Sequence, residues 1–245
     1  MNGNLSRRKL LAGAAGVGGV YLAAANASLP PASRGIFGLS DALTFAAHRV
    51  LLANQPLARE FDRKMITTNF PVNGRSPSDP KYRAAAASGF PDWRLTVEGL
   101  IAKPVELSLS QLKGFPSRTQ VTQQSCEEGW SAIAEWTGVQ LSRVLHEIGT
   151  APEARYVLFE TTDGWWDSLD MADALHPQTV LAYGMNGGDL PVAYGAPLRL
   201  RVERQLGYKS LKYLSRVLVT DRVDNIKDGT GSSAFDAAFP WYAGI

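Results

Sequence analysis

The sequence predicts a β-rich, mixed α+β domain, and three observations carry that prediction. Stretches of period-two alternation outnumber stretches of helical period, strands and helices do not alternate regularly along the chain, and no internal repeat is visible. Irregular order argues against a doubly wound parallel sheet. No G-x-G-x-x-G follows a strand either, which removes the nicotinamide-binding reading. With 245 residues, 45% hydrophobic and 20% charged, the chain has material for one sizeable core. The formal net charge is +2 and the basic residues are scattered, so the footprint of a nucleic-acid binder is missing.

The chain opens with Ser6-Arg7-Arg8-Lys9-Leu10-Leu11, then a Gly- and Ala-rich apolar stretch to about Ala25, then Ala25-Asn26-Ala27 as an A-x-A cleavage pattern before Ser28. This resembles a bacterial twin-arginine signal. The apolar run is short and diluted by glycine, which favours a signal over a spanning helix, with an uncleaved anchor as the alternative. The resulting boundaries are a signal segment at 1–27, a helical extension at 28–65 and the main domain at 66–245. A twin-arginine signal implies periplasmic export of an already folded protein, as a complex cofactor inserted in the cytoplasm requires.

Asp41 to Val50 reads as an amphipathic helix capped by Ser40, with Leu43, Ala46, Ala47, Val50 and Leu51 on one face and Pro56 ending or kinking it. Asn69 to Pro80 is rich in Pro, Asn, Gly, Ser and Asp and reads as a long loop, which in a compact domain points to function. Trp93 to Glu98 alternates as a half-buried strand, and Ser108 to Leu112 is a short helix. Leu141, Val144, Leu145 and Ile148 mark one face of a helix that stops at Gly149. Tyr156 to Glu160 is a strand, Asp170 to Leu175 a helical turn ended before Pro177, and Val180 to Tyr183 a strand entering the turn Asn186-Gly187-Gly188. Leu198 to Val202 alternates strictly, with Arg199 and Arg201 on the same face, and Arg216 to Thr220 is the last strand before an irregular aromatic tail.

The single cysteine, Cys126, excludes an intramolecular disulfide and the paired-thiolate zinc patterns. It ends a polar extended run, Gln123-Gln124-Ser125-Cys126-Glu127-Glu128-Gly129-Trp130-Ser131. A cysteine that only packs has no need of adjacent carboxylates, whereas a soft thiolate suits a transition metal and neighbouring acids can move protons for it. An inert core thiol is the plain alternative. Arg199 on its strand, and Gly207 followed by Lys209, Ser210 and Lys212, supply guanidinium, ammonium and close-approach backbone groups of the kind that hold a phosphate-bearing ligand. The alternative is a solvated strand face and an ordinary turn. Asp163-Gly164-Trp165-Trp166-Asp167 reads as a loop near the site, with plain packing of the paired tryptophans as the more common alternative. His48, His146 and His176 share no metal-ligand spacing; the first two read as surface or packing residues, and His176, before Pro177, as a structural cap.

The ordered series Leu181-Ala182-Tyr183-Gly184-Met185-Asn186-Gly187, Leu190-Pro191, Gly195-Ala196-Pro197-Leu198-Arg199-Leu200 and Gly207-Tyr208-Lys209-Ser210-Leu211-Lys212-Tyr213-Leu214 is similar to the molybdopterin-binding domain of sulfite oxidases and of the related periplasmic methionine sulfoxide reductases. Cys126 to Ser131 and Trp136-Thr137-Gly138-Val139 look closer to the sulfoxide reductase branch. With Asn69-Phe70 upstream, the resemblance runs from about Ile66 to Thr220. It implies a sulfite oxidase-like molybdopterin-binding fold and a molybdenum held by a pterin dithiolene, with Cys126 as the one protein ligand. Asn69, Phe70, Cys126, Arg199, Gly207, Lys209, Ser210 and Lys212 would bind the cofactor, and Cys126, Tyr183 and Glu128 would serve catalysis. The implied reaction is oxygen-atom transfer to or from a small sulfur or nitrogen oxide. No C-x-x-C-H haem motif is present, so electrons would pass through a separate partner, a membrane haem protein or a cytochrome c.

The chain departs from sulfite oxidases after Cys126, where Glu127 and Glu128 replace the usual C-x-G-N-R-R stretch. Two acids disfavour a dianion, which tilts the expectation from sulfite toward a neutral sulfoxide, with a sulfite dehydrogenase proper as the alternative. An exported cysteine hydrolase or transpeptidase with Cys126 as nucleophile is a rival of another class, and a metal-free binding domain of the same fold is a third.

Overall fold

The computed structural model describes residue 31, residues 36–52 and residues 57–245. The expected signal at 1–27, the start of the extension and Pro56 lie outside the described residues. Two five-stranded sheets dominate, with short helices between strands, in agreement with the β-rich α+β expectation. The first sheet is built from β1 (Arg94–Gly99), β2 (Val105–Ser108), β5 (Tyr156–Thr161), β6 (Trp166–Asp170) and β10 (Leu214–Thr220), in the order β2-β1-β10-β5-β6. Its β1–β10 pair is parallel and joins distant parts of the chain; the other pairs are antiparallel. The second sheet comprises β3 (Ser117–Ser125), β4 (Ser131–Gln140), β7 (Val180–Met185), β8 (Gly188–Asp189) and β9 (Arg199–Arg201), with β7 bonded to β4, β8 and β9.

The main core forms where alternate residues of both sheets meet. Leu95, Val97, Val157, Phe159, Val217 and Val219 come from the first sheet, and Val139, Leu181 and Leu200 from the second. Leu141, Val144 and Leu145 of the helix Leu141–Glu147 close it on one side, as their spacing predicts. On the opposite face of β4 and β7, Ala132, Ala134, Trp136, Val180 and Ala182 pack with Phe70. Parity along β7 and β9 therefore decides which side chains enter the core and which face away from it.

Several elements differ from the sequence reading for identifiable reasons. The first described helix, α1 (Ile36–Leu51), already contains Ser40, so Ser40 is not its cap. Leu43, Val50 and Leu51 are exposed, while Phe45 and Ala46 are buried. A polar anchor turns the helix this way: the Arg49 guanidinium pairs with Asp170 and Asp173 and lies over the Phe45 and Tyr242 rings. A helix at Pro80–Ala87, capped by the Asp79 side chain and starting on proline, follows the expected loop where the sequence reading placed no element. Strands β3 and β4 form a long hairpin that hydrophobic alternation does not reveal, since the buried positions of β3 include Gln120, Thr122 and Gln124. The short helix Leu109–Gly114 begins on a Ser108–Gln111 capping box.

Candidate active site

Cys126 sits at the tip of the β3–β4 hairpin. Ser125 and Ser131 form the last pair, the Cys126 amide donates to the Trp130 carbonyl at 2.8 Å, and the Gly129 amide donates to the Cys126 carbonyl at 3.0 Å. Gly129 closes this turn with φ +91°, a conformation that suits glycine. The thiol is buried and directed at carboxylates: Sγ donates to Glu127 Oε2 at 3.4 Å and lies 3.9 Å from Glu128 Oε2. Glu128 is itself fixed by the Trp130 indole N–H at 2.8 Å. Burial and these two acids push the Cys126 thiol up to about 11.

Beside Cys126 opens a cleft of about 300 Å³, lined by Asn73, Arg75, Glu127, Glu128, Thr161, Asp163, Trp165, Arg199 and the Gly207–Tyr213 segment without Lys209. The turn Gly207–Lys209 packs directly against the cysteine; a Cβ on Gly207 would stand 3.4 Å from Cys126 Cα and 3.1 Å from Gln124 Nε2. Arg199 reaches the cleft from β9, donating to the carbonyls of Tyr194 and Ser210 at 3.0 and 2.9 Å, and its guanidinium lies over Trp136. Burial, with Arg201 alongside, pulls Arg199 down to about 9. Lys212 donates to the carbonyls of Asn73 and Ala193, and burial together with Arg199 pulls it down to about 8. Two cations held below their usual range mark a place where an anion would be welcome.

Of the residues expected at the site, Cys126, Glu128, Arg199, Gly207, Ser210 and Lys212 come together here. The Ser210 hydroxyl is engaged by the Val202 amide, so it is the Ser210 backbone that serves Arg199. Four other residues stand elsewhere. Tyr183 is not part of the cleft: Ala182 pairs with Arg199, so Tyr183, one residue on, faces the opposite side of the sheet and joins the main core beneath the Lys113 ammonium. Asn69 is exposed and does not line the cleft; Asn73, four positions later, does, with Nδ2 at 4.0 Å from Cys126 Sγ. Phe70 packs edge-on against Trp130, Trp136 and Tyr194, a brace behind the hairpin tip. The Lys209 ammonium runs away from the cleft to Asp167 and to the carbonyls of Ser168 and Trp241, at 2.5, 2.9 and 2.7 Å. His176 accepts the Gln178 amide on Nδ1, as a cap should, and none of the three histidines lines the cleft.

Sequence reading missed Asn73, Arg75, Thr161, Tyr208 and Tyr213 as lining residues. The composition of the loop after Asn69 was the one available signal for the first two. The Asp163–Trp165 segment does border the cleft, as expected, while Trp166 and Asp167 enter β6.

These residues suit a phosphate-bearing pterin with a metal. The Arg199 Nε is buried without a hydrogen-bond partner among the described residues, the Gly207 turn leaves a cradle that a side chain would narrow, and a soft sulfur stands at one end with cations further along. No group of three or more His, Cys, Asp or Glu among the described residues is arranged to hold a metal, so a metal at Cys126 has to bring further ligands with its cofactor.

Comparison with known proteins agrees. Residues 83–226 match the oxidoreductase molybdopterin binding domain. A proposed protein-methionine-sulfoxide reductase subunit, YedZ1 of Azospira oryzae, is 38% identical over 188 residues, covering 77% of this chain and 68% of that protein. The protein-methionine-sulfoxide reductase catalytic subunit MsrP of Ralstonia nicotianae is 31% identical over 235 residues, covering 88% and 69%. Among solved structures, the sulfane dehydrogenase SoxCD of Paracoccus pantotrophus superposes with a TM-score of 0.52 at 27% identity, over 55% of this chain and 40% of that one. Hairpin, cleft and family match together make the chain a member of the oxidoreductase molybdopterin-binding domain family, a molybdopterin-dependent oxidoreductase of the sulfite oxidase type.

Proposed function

We propose that this protein is a periplasmic sulfoxide reductase that carries out R₂S=O + 2H⁺ + 2e⁻ → R₂S + H₂O, with Cys126 as the protein ligand to molybdenum. When bound, the molybdenum–pterin group supplies the two-electron oxygen-atom transfer. The observation that carries the substrate class is the pair of carboxylates, Glu127 and Glu128, within 4 Å of the thiol in the cleft. An incoming dianion meets like charge there, whereas a neutral sulfoxide does not. The names of the relatives, protein-methionine-sulfoxide reductases in both cases, support the same class.

Arg199, Lys212 and the backbone around Gly207 would hold the pterin and its phosphate, and Asn73 would orient the group bound at Cys126. Glu128, steadied by Trp130 and 3.9 Å from the Cys126 Sγ, would be the group to relay a proton to the leaving oxygen. Electrons would come from a separate donor, a membrane haem protein or a cytochrome c, and the twin-arginine pattern at 1–27 supports export of the folded, loaded protein. A thiol hydrolase fits poorly, since burial and the two acids push the thiol upward, away from the thiolate a nucleophile needs, and no histidine lines the cleft.

Protein matured with cofactor machinery should contain near-stoichiometric molybdenum and a releasable pterin, with the metal lost in Cys126→Ala. The reduced protein should turn over methionine sulfoxide and the oxidised protein should leave sulfite untouched. Faster sulfite oxidation than sulfoxide reduction, or thiol-dependent hydrolysis without metal, would sink this assignment.

A further inference from the structure

One large aromatic side chain in the cleft lining is open to solvent. Trp165 is 38% exposed, whereas its neighbour Trp166, the first residue of β6, is 6% exposed and lies under the Lys227 ammonium. The backbone that presents Trp165 is fixed. Its carbonyl accepts both the amide and the hydroxyl of Thr161 at 2.9 Å, the Thr161 hydroxyl also meets Asp163, and Thr162 donates its amide and hydroxyl to the Tyr213 carbonyl at 2.9 and 3.2 Å. Gly164, at φ +87°, completes the turn. Among the described residues, the Trp165 ring has no aromatic or cationic partner and belongs to none of the hydrophobic clusters. The fold thus anchors the backbone that presents this indole at the lip of the cleft without using the ring for packing.

An exposed indole on an anchored turn is a recognition surface rather than a stability element. It offers a flat apolar face and one N–H donor. Sulfur in thioethers and related groups contacts aromatic rings favourably, and alkyl groups gain by leaving water against the same face. An oxyanion such as sulfite has no alkyl group to seat, and Asp163, two residues from Trp165 on the same lip, repels it. Tyr208 and Tyr213, the other aromatic residues of the lining, are buried and do not offer an equivalent face.

We propose that Trp165 is a specificity-determining residue, the platform on which the methyl and side-chain carbons of a sulfoxide rest while its oxygen is turned toward Cys126. This proposal rests on the sulfoxide-reductase reading. The expected signature is a split between KM and kcat, because the indole touches the non-reacting end of the substrate.

Cofactor-loaded wild type, Trp165→Ala and Trp165→Phe should be compared on a methionine-sulfoxide peptide and on dimethyl sulfoxide, with molybdenum content measured in each. Trp165→Ala should raise KM for the peptide about tenfold and for dimethyl sulfoxide by less, with kcat changed less than about twofold. Trp165→Phe should retain most of the affinity. Unchanged KM in Trp165→Ala, or a fall in kcat that follows molybdenum loss, overturns the proposal. A turnover-free arm separates the two readings: the peptide should quench wild-type tryptophan fluorescence saturably, and Trp165→Phe should lose that quenching. Saturable, Trp165-dependent binding without turnover would remove the reductase reading and keep the platform. Quenching that persists in Trp165→Phe, or none in wild type, removes the platform whatever the turnover.

Discussion

Lys209 and Asp167 form an ion pair with both side chains almost wholly out of solvent. Removing one member of such a pair leaves the other charged and without compensation. Lys209→Met should therefore cost about 3–5 kcal/mol, read as a lower urea midpoint, and Lys209→Met with Asp167→Asn should recover part of the loss. The same residue shows where sequence reading stops. The G-x-K-S series marked a turn of the candidate site, and Gly207, Ser210 and Lys212 line the cleft, yet nothing in the pattern says that the lysine between them points into the protein. Tyr183 fails for a related reason. Its motif position was legible, but the face it occupies depends on the pairing of Ala182 with Arg199, a property of two strands rather than of one. Cys126, Glu128 and Arg199 were legible because each carried a chemistry that its local surroundings did not otherwise explain.

At the level of elements, the β3–β4 hairpin delivers Cys126 and its register is the quantity to protect. Gly138 lies where the β4–β7 pairing shifts register, and a Cβ there would stand 2.3 Å from the Leu181 carbonyl oxygen and 2.7 Å from Ala182 Cα. Backbone atoms on the facing strand cannot step aside as a side chain would. Gly138→Ala should yield little folded protein, with the far-ultraviolet circular dichroism of the purified variant showing reduced strand content; a native spectrum and melting temperature would contradict this. The hairpin also explains why β3 and β4 went unread. β3 buries Gln120 and Gln124, whose partners are Arg201, Glu203 and the Gln178 carbonyl, together with Thr122, and β4 alternates on alanines, which have weak strand preference. The β1, β5, β7, β9 and β10 segments were visible because their buried residues are branched or aromatic.

Across the whole molecule, α1 is fastened to the body through Arg49, which bridges Asp170 and Asp173, while Phe45 and His48 meet Tyr242 from the tail. Burial and the adjacent Asp173 push Asp170 up to about 6, against the pull of Arg49. Arg49→Met removes that pull. Its folded-state Asp170 then titrates higher still, above its ordinary unfolded value near 3.8, so the folded variant takes up a proton that the unfolded chain does not. The variant's deficit in unfolding free energy relative to wild type should be largest above pH 6 and shrink as the pH falls toward 5. Amide exchange in Ile36–Leu51 should quicken in parallel; an equal deficit at pH 5 and pH 7.5, with exchange unchanged, would count against the clasp.

The Lys209 ammonium needs the Trp241 carbonyl, and Lys209 belongs to the turn on which Cys126 rests. A ribosome that has just released Cys126 has not yet made Lys209, and one that has made Lys209 still lacks Trp241. The turn against Cys126 therefore takes its final form only after a residue 32 positions beyond Lys209 has been made, so a nascent chain that stops short of Trp241 carries the cysteine without its finished support.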